Sequence, residues 1–241
     1  MRFLFPAILF SLLTSACSKE KNMPATETKP LVTTPASSGT FSYLALGDSY
    51  TIGESVMQQE SFPFQLQDLL KQKNVNVATP QIIATTGWTT DELQNAIKQA
   101  NLTTKFDFVT LLIGVNNQYR GYPLDTYKKE FSALLQTAIN FANGRKDHVF
   151  VVSIPDWGVT PSAKGFYKSQ QVIAAEIDSF NAANREITVA AGVSYTDITP
   201  ASRNAATDLG LVAKDGLHPS GKMYASWASA LSPKVLNSLN Q

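Results

Sequence analysis

The chain has 241 residues, 44% hydrophobic and 16% charged, with a formal net charge of +1. That length suits one domain with a substantial core, and a near-neutral charge without a basic block argues against nucleic acid or an acidic polymer as partner. The sole cysteine, Cys17, excludes a disulfide within the chain, and no metal-ligand cluster, phosphate loop or internal repeat is present.

From the N-terminus, Met1-Arg2 and the apolar run Phe3 to Leu13 have the charged start and short hydrophobic stretch of a secretory signal. Spanning a bilayer takes about 20 residues, more than this run supplies. Thr14-Ser15-Ala16 then precede Cys17. This pattern resembles the lipobox of bacterial lipoproteins, whose cysteine is lipidated and becomes the new N-terminus; the leucine stands at Leu13, one position earlier than usual. Residues 1–16 are read as a signal peptide and residues 17–40 as the lipid-attachment cysteine and its tether. The folded domain is expected over 41–241. The segment after Cys17, rich in Lys, Glu, Thr, Pro and Ser, buries too little to fold. As a coil it holds the domain on the order of 25 Å from its anchor. The protein is thus expected in the cell envelope, held to a bacterial membrane by lipid, with Ser18 compatible with the outer membrane.

Beyond the tether, strands and helices alternate. Apolar, β-branched runs at 41–46, 81–85, 106–113, 148–154 and 193–198 predict strands. Thr89 and Glu92 form a capping-box pattern that opens a helix towards Ala100. Tyr127, Phe131, Leu134, Leu135, Ala138 and Phe141 recur at helical steps, with Gly144 placed to stop them. Residues 169–190 and 222–239 carry two more helical patterns. Such alternation implies right-handed crossovers and a parallel sheet covered on both faces, with ligands beyond the carboxyl ends of its strands.

The chemistry-bearing residues fall at those ends. Ser49 follows the first strand, Gly87 the second and Asn116 the third, while Asp215 stands three residues before His218 near the C-terminus. A serine hydroxyl needs a base to take its proton, and histidine suits that task near neutral pH. The histidine needs a carboxylate to fix its tautomer, and the oxyanion formed on attack needs preorganised donors. The backbone N–H groups of Ser49 and Gly87 and the amide of Asn116 make such a set. Taken singly, each has a simpler explanation as a turn or cap residue; in combination they point to an acyl-transfer site. His148, the other histidine, opens the fourth strand and reads as a surface or structural residue.

On Gly47-Asp48-Ser49 with Gly53, then Gly87, Gly114-Val115-Asn116, and Asp215 to His218, the chain resembles the SGNH hydrolases, or GDSL esterases and lipases, over 41–241. The resemblance implies a flavodoxin-like three-layer α/β/α sandwich with a central parallel sheet. It implies Ser49 as nucleophile, His218 as base, Asp215 as its orienter, Ser49, Gly87 and Asn116 as oxyanion hole, and no cofactor or metal. Two positions depart from the family pattern. Tyr50 replaces the leucine after the nucleophile, and Asn117 replaces an aspartate that stands behind the oxyanion hole. The serine-hydrolase elbow GxSxG is absent because Thr51 occupies its last position.

Tyr50, Trp88, Tyr119 and Trp157 lie in loops after strands and are candidate walls of a substrate pocket. Asp156 is read as a turn residue and not as a second acid. The expected activity is hydrolysis of short-to-medium acyl or lysophospholipid-type esters. The alternatives are an O-acetyl esterase acting on glycans and, in another class, an envelope binding protein of the same fold without turnover.

Overall fold

Five apolar segments pair into one parallel sheet in the computed structural model, which describes residues 39–240. The predicted signal, Cys17 and all but the last two residues of the predicted tether lie outside the described residues. The strands are β1 (Tyr43–Gly47), β2 (Gln81–Ala84), β3 (Phe108–Leu112), β4 (Val149–Val152) and β5 (Ser194–Thr196), in spatial order β2-β1-β3-β4-β5. All pairs are parallel. Each strand lies within a predicted run, except that β1 extends one residue further, to Gly47. The inner strands β1, β3 and β4 are buried along their whole length, as a sheet covered on both faces requires. Tyr43 of β1 stacks on Phe108 of β3 at 4.3 Å, and its buried hydroxyl meets Thr110 Oγ1 at 2.8 Å.

Eight helices accompany the sheet among the described residues: α1 (Ser49–Ile52), α2 (Phe62–Gln72), α3 (Thr90–Ala100), α4 (Val115–Tyr119), α5 (Leu124–Phe141), α6 (Gln170–Ala190), α7 (Thr199–Ser202) and α8 (Gly221–Leu239). The path from β1 to β2 runs one way across the sheet and the steps from β2 to β5 run the other. Right-handed crossovers therefore place α2 on one face and α3, α5 and α6 on the opposite face. α8 packs along α2, while α5 sits between α3 and α6. None of these helices is long and apolar enough to cross a membrane.

Local chemistry explains the helix ends. Thr89 caps α3, its N–H donating to Glu92 Oε2 at 2.9 Å. α5 unwinds through Asn143 and Gly144, both at positive φ, and the Gly144 N–H returns to Ile139 O at 2.9 Å. α2 has no counterpart among the predicted elements. Phe62, Leu66 and Leu70 recur every four residues and are buried, but Pro63 sits among them. In the first helical turn a proline costs no hydrogen bond, since that N–H has no intrahelical partner.

Candidate active site

The site is assembled where β1, β2 and β3 end. β1 runs out at Gly47, and Ser49 begins the single-turn α1. Asp48 caps that turn, accepting from Tyr50 N–H at 3.0 Å. As first residue of the helix, Ser49 has a backbone N–H with no intrahelical acceptor. Its side chain lies in a cleft of about 210 Å³.

After β2 the chain turns at Gly87, whose φ of 87° is a conformation that side-chain-bearing residues rarely adopt. The Gly87 carbonyl is held by Arg120 Nη2 at 2.6 Å, and the same guanidinium reaches Glu92 Oε1 at 3.1 Å. This clamp fixes the Gly87–Trp88 peptide plane, whose N–H donates to Thr85 O at 3.2 Å. After β3, Gly114 caps α4 at φ 130° with a Cβ position only 2.7 Å from the Tyr127 ring, so no larger residue fits. Asn116 then donates from Nδ2 to Trp88 O at 2.9 Å, which leaves the second amide hydrogen free to face the cleft. Asn117 is fully buried; its Oδ1 accepts Thr90 N–H at 3.1 Å and its Nδ2 donates to Thr90 Oγ1 at 2.7 Å. The asparagine that replaces the family's aspartate thus ties α4 to the start of α3, immediately behind Asn116.

The Asp215-Gly216-Leu217-His218 turn brings the carboxylate back onto the imidazole. Asp215 Oδ2 lies 2.5 Å from His218 Nδ1, while its Oδ1 accepts the N–H groups of Leu217 at 2.9 Å and His218 at 3.0 Å. Burial raises the Asp215 pKa, but these bonds and one from Ser55 outweigh it and hold the carboxyl well below the usual carboxylate range. His218 is 8% exposed and lines the same cleft as Ser49, Gly87 and Asn116. No hydrogen bond joins Ser49 Oγ to His218 among the described residues. Tyr50 stands edge-on to the imidazole at 5.7 Å and to Trp227 at 6.2 Å, walling the histidine from behind.

A sequence model of the GDSL-like lipase/acylhydrolase family matches residues 45–225, which takes in Ser49, Gly87, Asn116, Asp215 and His218. The chain belongs to that family. The GDSL-family domain is accordingly a carboxylic ester hydrolase. A search of curated protein sequences returns no match. Among solved structures the chain is similar to TesA, with a TM-score of 0.63 and 15% identity over 82% of this chain and 99% of that one. It is similar to the psychrotrophic esterase EstA from Pseudoalteromonas sp., with a TM-score of 0.62 and 16% identity over 83% and 99%. It also resembles the acetylxylan esterase of Geobacillus stearothermophilus, with a TM-score of 0.62 and 16% identity over 82% and 95%. At such identities the likeness establishes the shared three-layer α/β/α fold.

Of the four aromatic pocket candidates in this GDSL-family domain, three reach the cleft. Tyr50 and Trp157 are buried in its walls and Tyr119 is 49% exposed at its rim. Trp88 is not among the residues that line the cleft: it packs half-buried against the core, and its carbonyl accepts from Asn116. In its place the loop after β4 supplies Phe166, at 5.3 Å from Tyr119 and 5.0 Å from Trp157. The aromatic pair Phe166-Tyr167, in a stretch over 160–169 otherwise without large apolar side chains, was its signal in the sequence. Trp157 is fixed through Nε1 to Gln118 Oε1 at 2.8 Å, Gln118 in turn to Glu176 at 2.6 Å, and Glu176 to Lys168 at 2.8 Å. Asp156 caps the turn at Gly158 and pairs with Arg203 at 2.9 Å. His148 is buried, its Nδ1 2.6 Å from Asp107 O, which makes it a structural and not a surface residue. Among the described residues no group of three or more His, Cys, Asp or Glu side chains is placed to hold a metal ion.

Proposed function

We propose that the domain hydrolyses carboxylic esters through a covalent acyl-enzyme on Ser49, with His218 as general base and Asp215 as its orienter. The observation that carries the assignment is the 2.5 Å contact from Asp215 Oδ2 to His218 Nδ1, in an imidazole that shares one cleft with Ser49, Gly87 and Asn116. The bond to the carboxylate leaves the proton on Nδ1, so Nε2 is the nitrogen free to take the Ser49 hydroxyl proton. As Ser49 Oγ bonds to the ester carbon, charge moves to the carbonyl oxygen. The N–H groups of Ser49 and Gly87 and the free Nδ2 hydrogen of Asn116 are the donors for that charge. The imidazolium returns its proton to the departing alcohol, and water, deprotonated by His218, then releases the acid.

The apolar walls suit a short-to-medium acyl ester or a lysophospholipid-type ester. Val115, Leu217, Tyr119, Trp157 and Phe166 give the cleft an apolar lining. A second reading, an O-acetyl esterase of glycans, is favoured by Tyr119 and by Tyr167, 78% exposed beside Phe166. Both offer flat rings to a sugar at the rim, and the similar Geobacillus enzyme is an acetylxylan esterase. We further propose export and lipid attachment at Cys17, supported by the charged start, the short apolar run and the small residues before that cysteine. The triad is tested by steady-state hydrolysis of p-nitrophenyl acetate, butyrate and octanoate by wild type, Ser49→Ala, His218→Ala and Asp215→Asn, each shown to be folded. Loss of kcat by at least about a thousandfold in all three variants is expected. Turnover near the wild-type level in any of them overturns the role given to that residue.

A further inference from the structure

Four non-glycine residues among the described ones have positive φ, and three of them, Asn74, Asn101 and Asn143, are asparagines at helix ends. Asparagine accepts that conformation more readily than other side-chain-bearing residues. The fourth is Ser55, at φ 67°, three residues beyond the end of α1. Serine is exposed there and has no packing role that would compensate the strain. What the conformation delivers is a hydroxyl: Ser55 Oγ donates to Asp215 Oδ2 at 2.7 Å, across 160 residues of chain. A strained backbone at a functional site is a reason to ask what it holds in place.

Asp215 has four donors. Two backbone N–H groups occupy Oδ1, and His218 Nδ1–H and Ser55 Oγ–H share Oδ2. The carboxylate side chain is 30% exposed, so without Ser55 water enters at Oδ2 and the group gains freedom to rotate away from the imidazole. The segment that carries Ser55 is fastened to the rest of the site. Glu54 N–H donates to Ser49 O at 3.0 Å, and Glu54 Oε2 accepts from Thr86 Oγ1 at 2.5 Å, next to Gly87. A single dipeptide therefore touches the nucleophile's helix, the Gly87 loop and the aspartate.

We infer that Ser55 is a positioning residue that locks the orientation of Asp215, and through it His218, against the nucleophile. The inference rests on the proposed role of Asp215. Its test is a double-mutant cycle of Ser55→Gly with Asp215→Asn, with p-nitrophenyl acetate as substrate and enough enzyme to follow the slow variants. Glycine removes the hydroxyl and relieves the strain together, so Ser55→Gly is expected to melt no lower than wild type. Its kcat is expected to fall about tenfold, the size of one hydrogen bond to a charged group, with KM unchanged. In the Asp215→Asn background the same substitution is expected to change kcat by less than about twofold, because its target is already lost. An unchanged kcat in Ser55→Gly, or the same fold loss in both backgrounds, overturns the positioning role. If Asp215→Asn is impaired while Ser55→Gly is fully active, only Ser55 is reassigned. If Asp215→Asn is as active as wild type, the triad assignment falls and Ser55 with it. Ser55→Ala, which keeps the strain and removes the hydroxyl, is expected to lose kcat as glycine does but also to melt lower.

Discussion

Replacing Asp48 by asparagine is expected to flatten the dependence of stability on pH. Asp48 is fully buried beside the nucleophile; Oδ1 accepts the Tyr50 N–H at 3.0 Å, and Oδ2 has no hydrogen-bond partner among the described residues. Burial pushes its carboxyl up to about 7, against a smaller opposing effect of the Tyr50 N–H. In the unfolded chain the same group titrates at about 3.9. Between those values the folded protein holds a proton that the unfolded chain has released. A raised folded-state pKa in an aspartate therefore contributes a stability loss as pH rises, about 1.4 kcal/mol per pH unit at its steepest. Integrated from about pH 5 to pH 8, the loss is roughly 2.5 kcal/mol. Asparagine keeps the acceptor for Tyr50 and has no proton to lose. Urea unfolding of wild type and Asp48→Asn across that range, at fixed ionic strength and with m-values compared, isolates the contribution. The variant is expected to gain on wild type by roughly 2.5 kcal/mol between the two ends. Parallel curves would show that the carboxyl is not held neutral by burial, and would refute the reasoning.

Three further outcomes follow from the same geometry. Asn116→Ala removes an oxyanion donor and is expected to lower kcat by about 10²–10³ with little change in KM; the steady-state parameters decide it, and an unchanged kcat removes Asn116 from the hole. Phe166→Ala opens the aromatic wall and is expected to raise KM for the octanoate ester about tenfold while the acetate ester is nearly unaffected; equal effects on both would show that the wall does not hold the acyl chain. Cys17→Ala is expected to move the protein from the membrane to the soluble fraction of cells and to abolish metabolic labelling by palmitate, and persistent membrane association would refute lipid attachment at that residue.

The sheet was legible because β1, β3 and β4 are near-continuous apolar runs, the pattern of strands buried on both faces. The long helices were legible from three- and four-residue steps and from caps such as Thr89 with Glu92. Ser49, Gly87 and Asn116 could be placed together because the carboxyl ends of neighbouring parallel strands share one edge. The remainder depended on contacts that no local pattern records. Pro63 disguised α2, since a proline reads as a break until its place in the first turn is known. Trp88 showed the limit of arguing from loops: position after a strand says which edge a residue is on but not which way its ring turns. The Trp88 ring packs half-buried against the core, and the cleft wall includes Phe166, whose loop is held by Lys168 to Glu176 and by Ser162 N–H to Gly216 O at 2.9 Å. Ser55 was hidden for a further reason: its partner is 160 residues away, and nothing in its neighbours marks the left-handed backbone that aims it.

The covalent step on Ser49 can be observed directly with a fluorophosphonate probe, which traps only an activated serine, followed by mass spectrometry of the labelled peptide. Stoichiometric label on Ser49 in wild type is predicted, with none in Ser49→Ala and at least about a hundredfold slower labelling in His218→Ala. Label on a different residue, or a protein that turns over esters while Ser49 stays unmodified, would contradict the proposed mechanism. A fully inert site would return the domain to the reading of a binding protein without turnover.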